Sequence, residues 1–291
     1  MNNPQNLHEL VPWHQADGSL IRLVGCWDGL SAIMVQEMGF EGIWSSGFCI
    51  SASHGLPDAS VLTKSEFLER AREMRNTAQM PILHDMDTGY GGPAHIIQYI
   101  REFAAAGVNG VCIEDKLFPK SNSFVGGNQG LMGIEEFCKK IMAAKEAVDD
   151  MYIVARIEAF ISGFGLQDAI YRADAYAESG ADAILIHSKS KDGKDILEFL
   201  DKWKKRCPIV IVPTTYAGVI PEEEMRNYGV NIVIYANQLL RVMVDHGFKY
   251  LKELEGWGET DVPGYDLEDM KTLFALQGMD VFKELEKKYS I

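Results

Sequence analysis

The sequence is short of cysteine, and what it has is not patterned for pairing. Cys26, Cys49, Cys112, Cys138 and Cys207 are scattered, with no Cys-x-x-Cys spacing. Such an odd set argues against a disulfide framework or a zinc site and fits a reducing, cytoplasmic setting. Positive charge is also scarce. Lys and Arg number 28 against 42 Asp and Glu, for a net charge of −14. Nucleic acid and anionic membrane surfaces both require a basic footprint, so neither is an expected partner. No uninterrupted apolar run reaches the ~18 residues of a membrane-spanning helix. The opening stretch lacks a basic segment followed by an apolar one, so no secretory signal is expected. No Gly-x-Gly-x-x-Gly follows an apolar run, which weakens a dinucleotide-binding reading. No Pro- or Ser-rich linker divides the chain, so 1–291 reads as a single domain.

What is present is a weak internal repeat. MGFEGIWSSG (38–47), AGVNGVCIED (106–115), SGADAILIHS (179–188) and YGVNIVIYAN (228–237) each run from a helix end through a Gly into a short apolar stretch with a polar tip. The Gly stands where a helix needs a left-handed residue after its last turn. The continuous apolar run suits a strand buried on both faces of a parallel sheet. Ile21–Gly25, Pro81–Asp87, Tyr152–Glu158 and Pro208–Pro213 supply four more strands, for eight in all. Helical patterns alternate with them at Ser31–Met38, Lys64–Asn76, Ala94–Ala106, Ile134–Val148, Gln167–Ser179, Asp195–Arg206, Glu222–Tyr228 and Leu239–Leu254. The expected architecture is an α/β (βα)8 TIM-type barrel, for which 291 residues suffice. Residues 255–291 carry further helical patterns whose apolar positions need a partner, and a neighbouring subunit is the expected one.

In such a barrel the site lies at the carboxyl ends of the strands. Polar groups gather there. Asp85 and Asp87, two apart on one strand, face the same side, and Glu114 closes the next strand. Three carboxylates facing one space repel unless a cation lies among them, and an oxygen-only set suits Mg2+. The alternative is a group of strand-end salt bridges. Arg156 can grip a carboxylate or phosphoryl group with its planar guanidinium, or pair with Glu158 two residues on. Ser46-Gly47 can offer backbone amides to an anion, or form a plain turn. His187 is a proton carrier or a wall residue, and Asp58 an orienting carboxylate or a turn residue. The connection 114–130 is long, and long loops in compact domains are usually functional. Its Gly126, Gly127 and Gly130 give mobility, and Lys120, Asn122 and Ser123 give anion-binding donors. That combination describes a closing lid.

EDKLFPKSNSF (114–124), DMDTGYGG (85–92), WSSG (44–47), ARIEAFISGFG (155–165) and ILIHSKS (184–190) together resemble the phosphoenolpyruvate mutase family of the isocitrate lyase superfamily. The resemblance spans roughly residues 20–290. It implies an isomerase that interconverts phosphoenolpyruvate and phosphonopyruvate, as in phosphonate biosynthesis. It also implies an eighth helix exchanged between subunits, in a homotetramer built as a dimer of dimers. Mg2+ would be held by Asp85, with Asp87 and Glu114 acting mainly through water. Trp44, Ser46 and Gly47 would line the substrate, the last two through backbone amides. Arg156, His187, Asn122 and Ser123 would surround its phosphoryl group, Lys120 would complete the closed lid, and Asp58 would sit beside the transferring phosphorus.

The lid separates the branches of the superfamily. Its carbon–carbon lyases carry a Lys-Lys-Cys-Gly-His-type lid, whereas Ser121-Asn122-Ser123 has neither Cys nor His, which disfavours a lyase or an oxaloacetate hydrolase. Phosphonopyruvate hydrolase shares the lid's first residues but carries Thr where this chain has Asn122, so Asn122 favours the mutase. Two departures from the family stand out: Ser45 in place of Gly, and Phe124 in place of Leu.

Overall fold

The computed structural model describes residues 6–125, 130–203, 206–257, 264 and 267–290. It divides into two compact units, Met1–Gln238 and Leu239–Ile291.

The first unit opens with helix α1 (Leu7–Asp17), whose first turn is capped by the Asn6 side chain. Strand β1 (Ile21–Cys26), α2 (Gly29–Glu37), β2 (Gly42–Ser45), α3 (Gly47–Ser53), α4 (Lys64–Thr77), β3 (Ile82–Asp85) and α5 (Pro93–Ala105) follow. Then come β4 (Gly110–Glu114), α6 (Ile134–Ala147), β5 (Tyr152–Ile157), α7 (Leu166–Glu178) and β6 (Ala183–Ile186). The last elements are α8 (Lys194–Lys202), β7 (Ile209–Ile211), α9 (Glu222–Asn227) and β8 (Ile232–Tyr235). The eight strands pair in sequence order, all parallel, and β1 closes on β8. This is the expected (βα)8 barrel.

The strands are apolar on both faces because one face fills the barrel and the other receives the helices. Leu23, Trp44, Leu83, Val154, Leu185 and Ile234 belong to the interior cluster. The glycine repeat has its expected geometry: Gly39, Gly107, Gly180 and Gly229 adopt φ of +73, +85, +97 and +80°. Each lets a helix end and the chain turn into the next strand, where a Cβ would add strain.

Two elements lie outside the sequence reading. Leu7, Leu10 and Val11 of α1 join the interior cluster beside Tyr152 and Ile21, so this helix covers the amino-terminal end of the barrel. Helix α3 starts directly after β2, capped by Ser46, whose hydroxyl accepts from Cys49 N at 3.2 Å.

The second unit holds most of α10 (Gln238–Trp257), together with α11 (Met270–Leu276) and α12 (Met279–Tyr289). Neither α11 nor α12 buries a residue, and Phe248, Leu251, Val281 and Phe282 are exposed. Among the described residues, no helix is long and apolar enough to cross a membrane.

Candidate active site

Asp85 is the last residue of β3 and Glu114 the last of β4. Asp87 does not continue β3, as the two-residue spacing suggests; it lies past the strand end in a left-handed conformation, with φ of +49°. Met86 N still donates to Cys112 O at 2.9 Å, and Glu114 N donates to Asp87 O at 2.8 Å. The turn therefore ties Asp87 to β4 and brings both carboxylates to one place, beside Gly47. A Cβ at Gly47 would lie 3.1 Å from Asp85 Oδ2 and 3.3 Å from Asp87 Oδ1. Glycine thus leaves the space in front of both carboxylates clear. Left-handed backbone at a non-glycine residue is strained, and such strain is concentrated at functional sites.

The long connection after β4 reaches back over these acids. The Lys120 ammonium contacts Asp87 Oδ1 and lies 2.7 Å from Asp58 Oδ1. Asn122 Nδ2 donates to Asp58 Oδ2 at 2.8 Å, and Lys120 N donates to Ser60 Oγ at 3.1 Å. Burial alone would raise Asp58, but the Lys120 charge and the Asn122 amide hold it below the ordinary carboxylate range. Burial raises Asp85 and pushes Asp87 up to about 8, with Lys120 opposing and neighbouring carboxylates adding to the shift. At the base of the connection, Lys116 and Leu131 form an antiparallel bridge. Gly130 is described; Gly126 and Gly127 lie outside the described residues.

A second cluster sits beside the first. Arg156 Nε donates to Glu158 Oε1 at 2.5 Å and lies 3.5 Å from Glu114 Oε2. The pair of Arg156 with Glu158 is therefore real, and it engages Nε of the guanidinium. Glu158 is fully buried, just past the end of β5. Its Oε1 also lies 2.8 Å from His187 Nδ1, and its Oε2 accepts from Ser123 Oγ at 3.0 Å. Lys116 Nζ, itself buried, lies 3.4 Å from Glu158 Oε2 and donates to Ser123 Oγ at 2.6 Å. Burial would raise Glu158, yet Arg156, His187 and Lys116 hold it well below the usual range. Burial lowers His187, with Glu158 opposing.

Asp58, Asp85, Asp87, Glu114, Lys120, Asn122, Ser123, Arg156 and His187 thus form one continuous set at the carboxyl ends of β3 to β6 and the adjoining loops. Gly47 borders the carboxylates directly. The Ser46 amide, expected to face an anion, instead donates to Cys26 O at 3.1 Å, because it joins α3 to β1. Trp44 lies in the apolar barrel interior, only 2% exposed. Ser45 is buried, and its hydroxyl lies 2.9 Å from Nδ1 of His84. The Phe124 ring stands edge-on to His187 at 5.9 Å. Lys116 and Glu158 are the participants that sequence reasoning assigned no functional role. Lys116 lies inside the lid motif, and Glu158 stands two residues from Arg156, so both signals were present.

No ring of three or more His, Cys, Asp or Glu among the described residues encloses a metal position. The donor chemistry nevertheless fits a divalent cation. Glu114 Oε1 is buried without a hydrogen-bond partner. When all are ionised, Asp58, Asp85, Asp87, Glu114 and Glu158 outnumber Lys116, Lys120 and Arg156 by two charges. A hard cation that keeps several waters needs few direct carboxylates, so a protein-only cage is not required.

Fold and site define a class: a (βα)8-barrel enzyme with a buried carboxylate–cation cluster at the barrel mouth. The chain belongs to the phosphoenolpyruvate phosphomutase family, whose model matches residues 13–254. It is 41% identical over 275 residues to phosphoenolpyruvate phosphomutase of Tetrahymena pyriformis, covering 90% of this chain and 88% of that one. The crystal structure of a phosphoenolpyruvate phosphomutase from Streptomyces platensis subsp. rosaceus superposes with a TM-score of 0.92 at 41% identity, covering 97% of this chain and 99% of that one. A phosphonopyruvate hydrolase in complex with oxalate and Mg2+ superposes at 0.88 and 36%, covering 94% and 95%. The family is thus shared by mutases and hydrolases.

Proposed function

We propose that this protein is a phosphoenolpyruvate mutase, interconverting phosphoenolpyruvate and phosphonopyruvate by intramolecular phosphoryl transfer. One observation carries the reading. The connection after β4 places Lys120, Asn122 and Ser123 in contact with Asp58, Asp87 and Glu158, so its polar side chains face the site rather than solvent.

Asp85, Asp87 and Glu114 would hold Mg2+, which when bound supplies Lewis-acid stabilisation of the enolate oxygen of pyruvate. The Gly47 amide would meet a carboxylate or keto oxygen beside this acid cluster. From phosphoenolpyruvate the O2–P bond breaks and the C3–P bond forms, and from phosphonopyruvate the reverse, with no water consumed. The transition state for such a transfer is loose, with charge spread over the three peripheral phosphoryl oxygens. Arg156 Nη groups and the Asn122 amide would donate to those oxygens, with Ser123, whose hydroxyl proton goes to Glu158, lying beside them. His187 would lie against the same group. Lys120 would hold Asp58 beside the phosphorus and keep the connection closed. Closure excludes water, which would otherwise divert the phosphoryl group to phosphate.

Similarity to the hydrolase supports a second reading, phosphonopyruvate hydrolysis, in which water captures the phosphoryl group. Phosphorus NMR of phosphonopyruvate with Mg2+ separates the two. Phosphoenolpyruvate is the expected product; phosphate and pyruvate would mean a hydrolase. The lid segment 114–130 contains neither Cys nor His, which argues against carbon–carbon lyase or oxaloacetate hydrolase chemistry.

We also infer that the exposed apolar residues of α10 to α12 are covered by a second copy of the chain, as in a homotetramer with an exchanged eighth helix. With no basic surface excess and no spanning helix among the described residues, a cytoplasmic setting and small-molecule partners are the consistent assignment.

A further inference from the structure

Two neighbours meet on one oxygen. Glu158 Oε1 accepts from Arg156 Nε at 2.5 Å and lies 2.8 Å from His187 Nδ1, which itself lies 2.9 Å from Arg156 Nη2. Nδ1 cannot serve both neighbours in the neutral ring. A carboxylate only accepts, and a guanidinium only donates. If Nδ1 carried a lone pair, it would accept from Arg156 but face a carboxylate oxygen at 2.8 Å, lone pair against lone pair. Glu158 is 0% exposed, so no solvent would relieve that repulsion. If Nδ1 carries the proton, it donates to Glu158 and stands donor to donor, 2.9 Å from Arg156 Nη2, a contact that the adjoining carboxylate charge offsets. Arg156 Nη2 then keeps its hydrogens for another acceptor; its remaining contact is Ser123 Oγ, at the long distance of 3.5 Å. The other carboxylate oxygen accepts from Ser123 Oγ at 3.0 Å, and the Glu158 amide donates to Asp115 Oδ1 at 2.9 Å. Backbone and side chain are therefore both fixed.

We propose that Glu158 is a positioning residue, a single buried carboxylate that fixes His187 as its Nδ1–H tautomer, frees Arg156 Nη2 for an anion and anchors Ser123 of the lid. With Nδ1 committed, Nε2 is the only ring nitrogen left to meet a ligand, and it meets it as an acceptor. A phosphoryl group retaining one proton is the chemistry that matches: its P–O–H donates to Nε2 while a charged oxygen accepts from Arg156 Nη2. The role rests on the anion-handling function proposed above, but its geometry can be tested without that function. Outer partners that orient a binding residue act through it, and their loss is felt mainly by the part of the ligand that residue touches.

The test has two parts. Nitrogen-15 NMR of histidine-labelled protein, with His187→Gln to assign the signal, should show His187 as the Nδ1–H tautomer. An Nε2–H tautomer in the unmodified protein would overturn the proposal, whatever the enzyme's reaction. In Glu158→Gln that tautomer should lose its exclusivity, and kcat/KM for phosphonopyruvate should fall about 10- to 100-fold. Oxalate stands for the enolate end and does not carry the phosphoryl group. Its Kd with Mg2+, measured by calorimetry, should therefore stay within about twofold of the unmodified value. Loss of oxalate binding in step with activity would reduce Glu158 to a structural residue and overturn the proposal, as would unchanged kcat/KM. If the unmodified enzyme fails to turn over phosphonopyruvate, the mutase reading falls, and the tautomer measurement still decides the role of Glu158.

Discussion

Asn122 Nδ2 donates to Asp58 Oδ2 at 2.8 Å, so an amide from the loop after β4 and a carboxylate from the loop after α3 hold each other across the barrel mouth. If the Asn122 amide also stabilises charge on the transferring group, Asn122→Ala should lower kcat by about 2 kcal/mol, roughly 30-fold. Phosphorus NMR turnover measures it. An unchanged rate would make the bond to Asp58 purely structural.

Asp85 ends β3 with its carboxylate beside Gly47, buried and raised by its surroundings. Asp85→Ala should abolish Mg2+-dependent turnover and Mg2+ binding by calorimetry. Turnover by the unmodified enzyme in the presence of a chelator would contradict this metal site.

At Gly47 the absence of a side chain leaves the space in front of the two carboxylates clear. In Gly47→Ala the new Cβ would press within 3.1 Å of Asp85 Oδ2. Mg2+ affinity should fall roughly tenfold, because the carboxylates must move to make room. Thermal unfolding should change little, since the neighbours it would meet are side-chain ends that can yield. Unaltered Mg2+ binding would show that the space in front of the two carboxylates is not used.

Glu158 predicts a pH dependence of stability. Its folded-state pKa is depressed; burial opposes this, but Arg156, His187 and Lys116 prevail. A depressed carboxylate contributes stability that is fully present above the unfolded value of about 4.3 and is lost as pH falls below it. The stability difference between the unmodified protein and Glu158→Gln should therefore be present at neutral pH, with any change above pH 5 coming from His187, which Glu158 raises. It should then shrink by ~1.4 kcal/mol per unit below pH 4.3. Urea unfolding at a series of pH values measures it, and a difference independent of pH would mean that the carboxylate is not held ionised by these neighbours.

Phe248 is 70% exposed on α10. If a second copy covers this helix, Phe248→Glu should lower the mass measured by light scattering, since an unpaired charge buried in an interface is strongly unfavourable. A monomeric unmodified protein would remove the basis for the inference.

Much of the architecture was legible in the residues because it rests on local rules. Eight apolar runs, four of them led by a helix-ending glycine, announce buried parallel strands, and those four glycines have the left-handed φ that the pattern requires. Helix α1 was not legible, because Leu7, Leu10 and Val11 acquire meaning only from the open barrel end they cover. The convergence of Asp85, Asp87, Glu114 and Arg156 could be anticipated from strand order, since neighbouring parallel strands end on the same side.

Which donor meets which acceptor was a matter for the tertiary structure alone. Sequence spacing put Asp87 on β3; the fold turns it out of the strand and ties it to Glu114 N. Spacing also offered Glu158 as a partner for Arg156, but it gave no sign that Ser123 and His187 would share the same carboxylate. Sequence fixes what is periodic, namely strand, helix and the end of the barrel where polar tips collect. Contacts between residues far apart in the chain depend on loop paths and burial, which arise only when the barrel closes and water is removed.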